Sequence, residues 1–469
     1  MSDANNDGDG KKPEGSTPAE QPAGTPAGTP AGTPAEQSAE TPADKPVAAV
    51  AAAKKAQAQP RKSFGRQVVD GIVTGNSAVV TFLAIVLALL VGAVLIVLSN
   101  QDVLDKYKYF FDDPGDAMSA SWNLVKDAYV ALFKGSIVDP GTFDSNYAPY
   151  ILNPLSETIS QATPLIFGGL SVSIAFRAGL FNIGAQGQLI AGAIVASWVG
   201  FTFDLPGTLL LILVIVGGIL GGAVYAGLAG VLKARFGAHE VIITIMFNYI
   251  ALNFLAWLLT TDTFREENQQ QPIGKPLDDG ALLPRLFGDE LRINLGIILA
   301  LAAVALYWWI LNRSTMGFEL RAVGSNPDAA RTAGMSVGRA QIVAMAIAGA
   351  MAGMVGVSQL AGPYNAGHQL SPTIDAGLGF TAITVALLGR TKPLGVIFAA
   401  LLFGALQAGG SKMQAAVGVS IDIVMVIQAV IVLCVAAPAL VRTIFRLKGA
   451  HRGGEGGLVA KETAGAEAV

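Results

Sequence analysis

The chain has 469 residues, of which 52% are hydrophobic and only 14% charged, and its mean hydropathy is +0.52. An ordinary soluble domain carries about a quarter charged residues, so this chain cannot coat a large surface against water and reads as an integral membrane protein. The single cysteine, Cys434, excludes an intrachain disulfide or thiolate cluster, and three histidines argue against metal catalysis; the net charge of −3 is small and says little by itself, and neither a cofactor nor a nucleic acid polymer is expected.

Residues 1–66 are rich in Ala, Pro, Thr and Gly, with an AGTP repeat from Ala23 to Pro34 and no apolar periodicity. They cannot bury enough surface to offset ordering and are expected to form a disordered cytoplasmic tail. Within them Asp3, Asn5, Asp7, Gly8 and Glu14 match the spacing of an EF-hand loop, but only two residues precede Asp3 and Pro13 follows, so the flanking helices are missing. The start lacks the apolar core of a secretory signal. Lys54, Lys55, Arg61, Lys62 and Arg66 then precede the uncharged run 77–98. Basic residues before a first span place the N-terminus in the cytoplasm.

The polar stretch 100–149 reads as an external loop. In it Trp122, Val125, Tyr129 and Phe133 share one helical face, which suits either a helix at the outer interface or one packed on the bundle. Apolar runs follow at about 155–176, 188–204, 207–231, 241–260, 294–311, 341–361, 374–389, 393–410 and 421–440, making about ten spans with the first. Internal loops collect Lys233, Arg235, Arg313, Arg321, Arg331, Arg339, Arg390, Lys392, Arg442, Arg446 and Lys448, and the acids fall outside, which puts both termini in the cytoplasm. A permease-like domain at 67–448 and a second disordered tail at 449–469 complete the organisation. Gly217 with Gly221, Gly218 with Gly222 and Gly349 with Gly353 are spaced for close helix contact.

Two interruptions carry chemistry. The first, RAGLFNIGAQGQ at 177–188, places Asn182, Gln186, Gln188 and three glycines between apolar runs. Irregular polar backbone is tolerated in a bilayer where protein or a water-filled path covers it, so this is either part of a solute path or a cytoplasmic turn. Asn182 is placed to cap the helix that follows, and Gly184 and Gly187 permit close approach. The second is the internal loop 312–341. Asn326 before Pro327 is a helix start, Asp328 suits its positive end and Gly334 its left-handed exit, which predicts a helix of about two turns over Pro327–Ala333. It serves as a handle for a soluble partner or as a plain connector.

The segments AFRAGLFNIGAQGQ (175–188), HEVIITIMFNYIA (239–251), ELRAVGSNPDAARTAGMSV (319–337) and GLGFTAITVALLGRTKPLG (377–395) resemble, in order, the permease subunits of bacterial binding-protein-dependent ABC importers, within the ribose and branched-chain amino acid permease superfamily. GLFNIGAQGQ with HEVI is similar to its nucleoside-type branch, with Gln186 standing where that branch usually has glutamate. The resemblance covers about 75–445. It implies an all-α integral membrane fold with inverted-repeat importer architecture, import of a polar uncharged solute across the plasma membrane, a cytoplasmic ABC ATPase, a second permease as heterodimeric partner and an extracellular solute-binding lipoprotein.

No G-x-x-x-x-G-K-[ST] pattern occurs, so the ATPase is expected on another polypeptide and the chain is not itself an enzyme. The resemblance makes Pro327–Gly334, including Asp328, Ala329 and Ala330 and capped by Asn326, the segment that couples to the ATPase, with Arg321 and Arg331 as its salt-bridging residues. Path candidates are Phe181, Asn182, Gln186, Gln188, His239, Glu240, Asn248, Asn253, Asp375 and Thr381, whose amides, hydroxyls and ring suit a planar polar solute, while membrane lipid surrounds the outside of the bundle. Asn248 and Asn253 equally suit interhelical contacts, and Glu240 a helix start. A sugar or riboflavin remains open as solute; an intramembrane enzyme or a secondary carrier would need more ionisable groups within the spans.

Overall fold

The computed structural model describes residues 77–145, 148–267, 269, 271–365 and 367–445. The tail regions 1–66 and 449–469, with the EF-hand-like spacing and the first basic cluster, lie outside them.

All described elements are helical: α1 Ser77–Ser99, α2 Gln101–Tyr107, α3 Pro114–Ser136, α4 Ala148–Arg177, α5 Ala185–Thr202, α6 Gly207–Phe236, α7 Glu240–Leu258, α8 Leu295–Arg313, α9 Thr315–Ser325, α10 Pro327–Thr332, α11 Val337–Ala361, α12 Leu378–Leu388, α13 Pro393–Val417, α14 Asp422–Ala436 and α15 Pro438–Ile444. Local chemistry sets many boundaries. Asn100, Asp113, Asn294, Ser314, Asn326 and Ser336 each accept a backbone N–H at a helix start, and Gly237 and Gly418 exit in the left-handed conformation.

Among the described residues, seven helices are long and apolar enough to cross a membrane: α1, α4, α6, α7, α8, α11 and α13. The other three expected spans differ. The helix α5 has 18 residues with Gln186 and Gln188 in its first turn, α12 has 11 and α14 has 15. At 1.5 Å per residue α12 extends only about 16 Å, half a hydrocarbon core. The run 374–389 was apolar enough to read as a span, but the backbone of 371–377 is turn, not helix.

The α4 helix is the most enclosed of the seven, whereas α1 and α7 are largely bare. The tightest packing joins α6 to α11. A Cβ at Gly222 would overlap the Gly349 carbonyl oxygen, and one at Gly353 the Gly218 carbonyl oxygen; Gly192 of α5 meets both helices at the same level. The glycine pairs read from the sequence therefore do mediate close helix contact.

The face carrying Trp122 and Phe133 on α3 is exposed, while Ala117, Ala128, Ala131 and Gly135 are buried. Gly409 of α13 lies against the Leu132 carbonyl, and the Tyr129 hydroxyl donates to the Leu89 carbonyl of α1. Small residues together with Val125 and Tyr129 dock α3 on the bundle, and the other two residues of the stripe, Trp122 and Phe133, stay exposed. Between α7 and α8 the chain folds back on the α11–α12 connection, with Gly274 and Leu277 donating to the Leu370 and His368 carbonyls.

Candidate translocation site

The first interruption begins where α4 stops. Gly179 adopts a φ of +73°, and the Gly179 and Leu180 amides bond back to Phe176 and Ala175, closing the helix as glycine-ended helices do. Gly324 of α9 sits directly on this end; a side chain there would overlap the Arg177 carbonyl oxygen. Arg177 reaches across to the Thr391 carbonyl at 3.3 Å, which also accepts the Tyr307 hydroxyl at 2.8 Å.

Asn182 is fully buried. Its amide and that of Gln188 exchange two hydrogen bonds, at 3.1 and 2.9 Å, and its Oδ1 also accepts the Gly184 amide at 2.9 Å. This corrects the expected capping role. The residue preceding α5 is Gly184, which has no side chain to cap with, and Asn182 instead holds the turn that delivers it. Asn248 of α7 completes the arrangement, accepting the Gly187 amide at 2.8 Å and donating to the Ile183 carbonyl at 3.0 Å. Thr244, one turn earlier, lies 3.4 Å from the Ile183 amide. Three buried side chains, Asn182, Asn248 and Thr244, thus answer the backbone of this turn internally, and Gln188 holds Asn182 in place, as a low-dielectric setting requires.

Gln186 points the other way, donating to Asp375 Oδ2 at 2.8 Å. The same oxygen accepts the Gly377 amide at 3.3 Å. Ala376 and Gly377 both have positive φ, +44° and +72°, and turn the chain into α12. Gly379 then crosses over Gln186 so closely that a Cβ would fall 2.6 Å from its Cα. The first turn of α5 and the turn leading into α12 therefore meet at Gln186 and Asp375, whose carboxylate takes the Gln186 amide and the backbone amide just ahead of α12. Phe181 is exposed and stacks on Phe176 at 5.0 Å; Phe380 is also exposed, and Thr381 bonds to the Gly377 carbonyl at 3.1 Å.

The remaining candidates stand apart. Glu240 pairs with Lys233 at 2.7 Å, tying α6 to α7. His239 precedes α7 without a side-chain cap, and Asn253 is exposed and bonds to the Tyr249 carbonyl of its own helix at 2.7 Å.

The second interruption forms α10 as expected, one residue shorter: Thr332 is its last residue and Ala333 its C-cap. Asn326 Oδ1 accepts the Asp328 and Ala329 amides, each at 3.0 Å, Gly334 turns at φ +83°, and Arg331 pairs with Asp328 at 3.0 Å. Ala329 is exposed, Ala330 is buried, and Arg321 is half-buried on α9. The α9 helix was not foreseen; its signal was Ser314 ahead of Leu320 and Val323, spaced to share a buried face.

Residues 155–436 match the family described as branched-chain amino acid transport system / permease component. The chain belongs to this family. It is similar to the guanosine ABC transporter permease protein NupP of Bacillus subtilis, 37% identical over 79% of this chain and 97% of that one. The nucleoside ABC transporter permease protein NupB of Lactococcus lactis is 36% identical over 62% and 81%, and the glucose ABC transporter permease protein TsgB13 of Haloferax volcanii 34% over 60% and 75%. No solved structure matches the chain. This protein is thus a multi-pass membrane permease component of an ABC transporter.

Proposed function

We propose that this permease conducts nucleosides inward, along a face bearing Phe181, Gln186, Asp375 and Thr381. The observation that carries the reading is the meeting of α5 and α12 at the Gln186–Asp375 bond. Two helices shorter than or interrupted before a full span, with polar groups at or just before their starts, fit the discontinuous helices from which membrane solute paths are built. Exposed aromatic rings at Phe181 and Phe380 beside these amides suit a planar base with hydrogen-bonding edges. Likeness to guanosine and nucleoside permeases over most of the chain supports the solute class.

In this reading 67–448 is the permease domain, with its spans in inverted-repeat arrangement and both termini cytoplasmic. The α10 segment receives a separate ABC ATPase, to which Asn326, Asp328, Ala329, Arg331 and Gly334 are presented, and this chain has no ATPase site of its own. A second permease completes the path, since Phe181 and Phe380 lie bare in the single chain; the similarity to two guanosine ABC transporter permease proteins of one organism, NupP and NupQ of Bacillus subtilis, favours a paired subunit. An extracellular binding lipoprotein supplies the solute.

The test is uptake of labelled guanosine in cells lacking the chromosomal copy. Restoration by the wild type, competed by unlabelled nucleosides and not by glucose, is expected. The likeness to a glucose permease makes hexose transport the second reading, and competition by glucose alone would select it.

A further inference from the structure

A polar cavity lies outside the candidate path. It lies at the end of the bundle remote from α10: α4 meets Gly324 at Arg177, and Glu157 stands 20 residues back along the same helix, about 30 Å away. There α3, α4, α13 and the loops around Arg292 and Tyr364 enclose about 520 Å3.

Glu157 is the only acid in α4, and an ionised group in an apolar helix needs compensation. Arg292 Nε donates to its Oε1 at 2.9 Å, and the Tyr364 hydroxyl to its Oε2 at 2.8 Å. The Arg292 guanidinium lies 5.3 Å over the Tyr364 ring. Burial, reinforced by the neighbouring Glu157 carboxylate, pushes the Tyr364 phenol up, which keeps it a donor at physiological pH. Glu157 is therefore fully answered. Lys134, on the rim, is 3.5 Å from Asp139. The third cation is different: Lys412, exposed at the cavity mouth with its Cβ packed against Gly135, pairs with no acid among the described residues. Among the described residues the lining carries three cations and two carboxylates, beside the neutral amides of Asn153 and Gln161.

A purely structural ion cluster would close on itself with matched charge. This one keeps open volume, an unmatched ammonium and a guanidinium that spends only its Nε on Glu157. We propose that the cavity is a second binding site, for a small organic anion carrying one phosphate or carboxylate and several hydroxyls, separate from the Gln186–Asp375 pair. The anionic group sits between Lys412 and the outer N–H groups of Arg292, where charge-assisted bonds are strongest, and the hydroxyls meet Gln161 and Asn153. The volume lies within the range of small-molecule sites and accommodates a sugar phosphate. This inference does not depend on which solute the permease carries.

The experiment is calorimetric titration of the full-length chain in nanodiscs of zwitterionic lipid, with glucose 6-phosphate, glucose and inorganic phosphate as probes. Glucose 6-phosphate is expected to bind at least tenfold more tightly than either of the others. Lys412→Gln should weaken it at least tenfold, Lys412→Arg should retain it, and Lys126→Gln, on α3 outside the cavity, should leave it unchanged. Retained binding in Lys412→Gln, equal affinity for glucose, or no heat up to about 10 mM, a range that still registers weak complexes, would overturn the proposal. Inorganic phosphate binding as tightly as the ester would reduce the site to a bare ion and overturn it as well.

Discussion

At the scale of single residues, the two glutamines of the 186–188 pair do opposite work although they sit two positions apart. Gln188 is locked to Asn182 and closes a buried ring of amides, so it has no free hydrogen-bonding edge to offer a solute. Asn182→Ala removes both partners of that ring and the acceptor for the Gly184 amide. Leaving buried polar groups unpaired costs about 1–3 kcal/mol, so this variant is expected to unfold several degrees earlier in detergent, whatever the solute. Gln186 meets Asp375, and there a carboxylate would face a carboxylate. Gln186→Glu is expected to lower uptake about tenfold, or ~1.4 kcal/mol, with Asp375→Asn on top of it restoring most of the loss. A full loss that the second change does not relieve would mean that Gln186 acts through some contact other than Asp375.

At the scale of elements, the α6–α11 seam is built from glycines whose absent side chains are themselves the contact. Gly222→Leu or Gly353→Leu would drive a side chain into backbone and is expected to abolish folded permease in the membrane, since overpacking already costs about 1–3 kcal/mol where neighbours can yield. Gly227 on the same helix α6 is the contrasting case. Its nearest neighbour to an added Cβ is the Ala346 methyl at 3.8 Å, so Gly227→Ala should be neutral or stabilising by up to about 1 kcal/mol, read as membrane abundance and thermal stability. The α10 segment permits a similar separation. Ala329→Glu, on the exposed side, is expected to abolish uptake with the protein still in the membrane at normal level. Ala330→Glu, at a buried position, should lower the level itself by placing a charge where none is matched.

At the scale of the molecule, the reading depends on which end of the bundle faces the cytosol. Cys434 is buried and should stay silent to membrane-impermeant maleimides, so single reporters are readable against it. Ser325→Cys, at the end of α9, is expected to react only from inside; Asp289→Cys, in the connection between α7 and α8, only from outside. The reverse pattern would put the α10 segment out of reach of any cytoplasmic ATPase.

Composition alone determined that the chain lies in a membrane, because apolar content sets the solvent a chain can accept. Local rules determined the helix α10, since Asn326, Pro327 and Gly334 act through bonds within a few residues and need no distant partner. The glycine spacings likewise announced close packing, though not which helix answered which. What only the tertiary structure decided were the long-range pairings. Asp375 lies 189 positions from the glutamine it meets, and Glu157 is answered by Arg292 and Tyr364 from two separate loops. Nor could hydropathy distinguish α12 from a full span, because the turn at 371–377 owes its place to the Gln186–Asp375 bond and the tight passage of Gly379 rather than to any change in how apolar the run is.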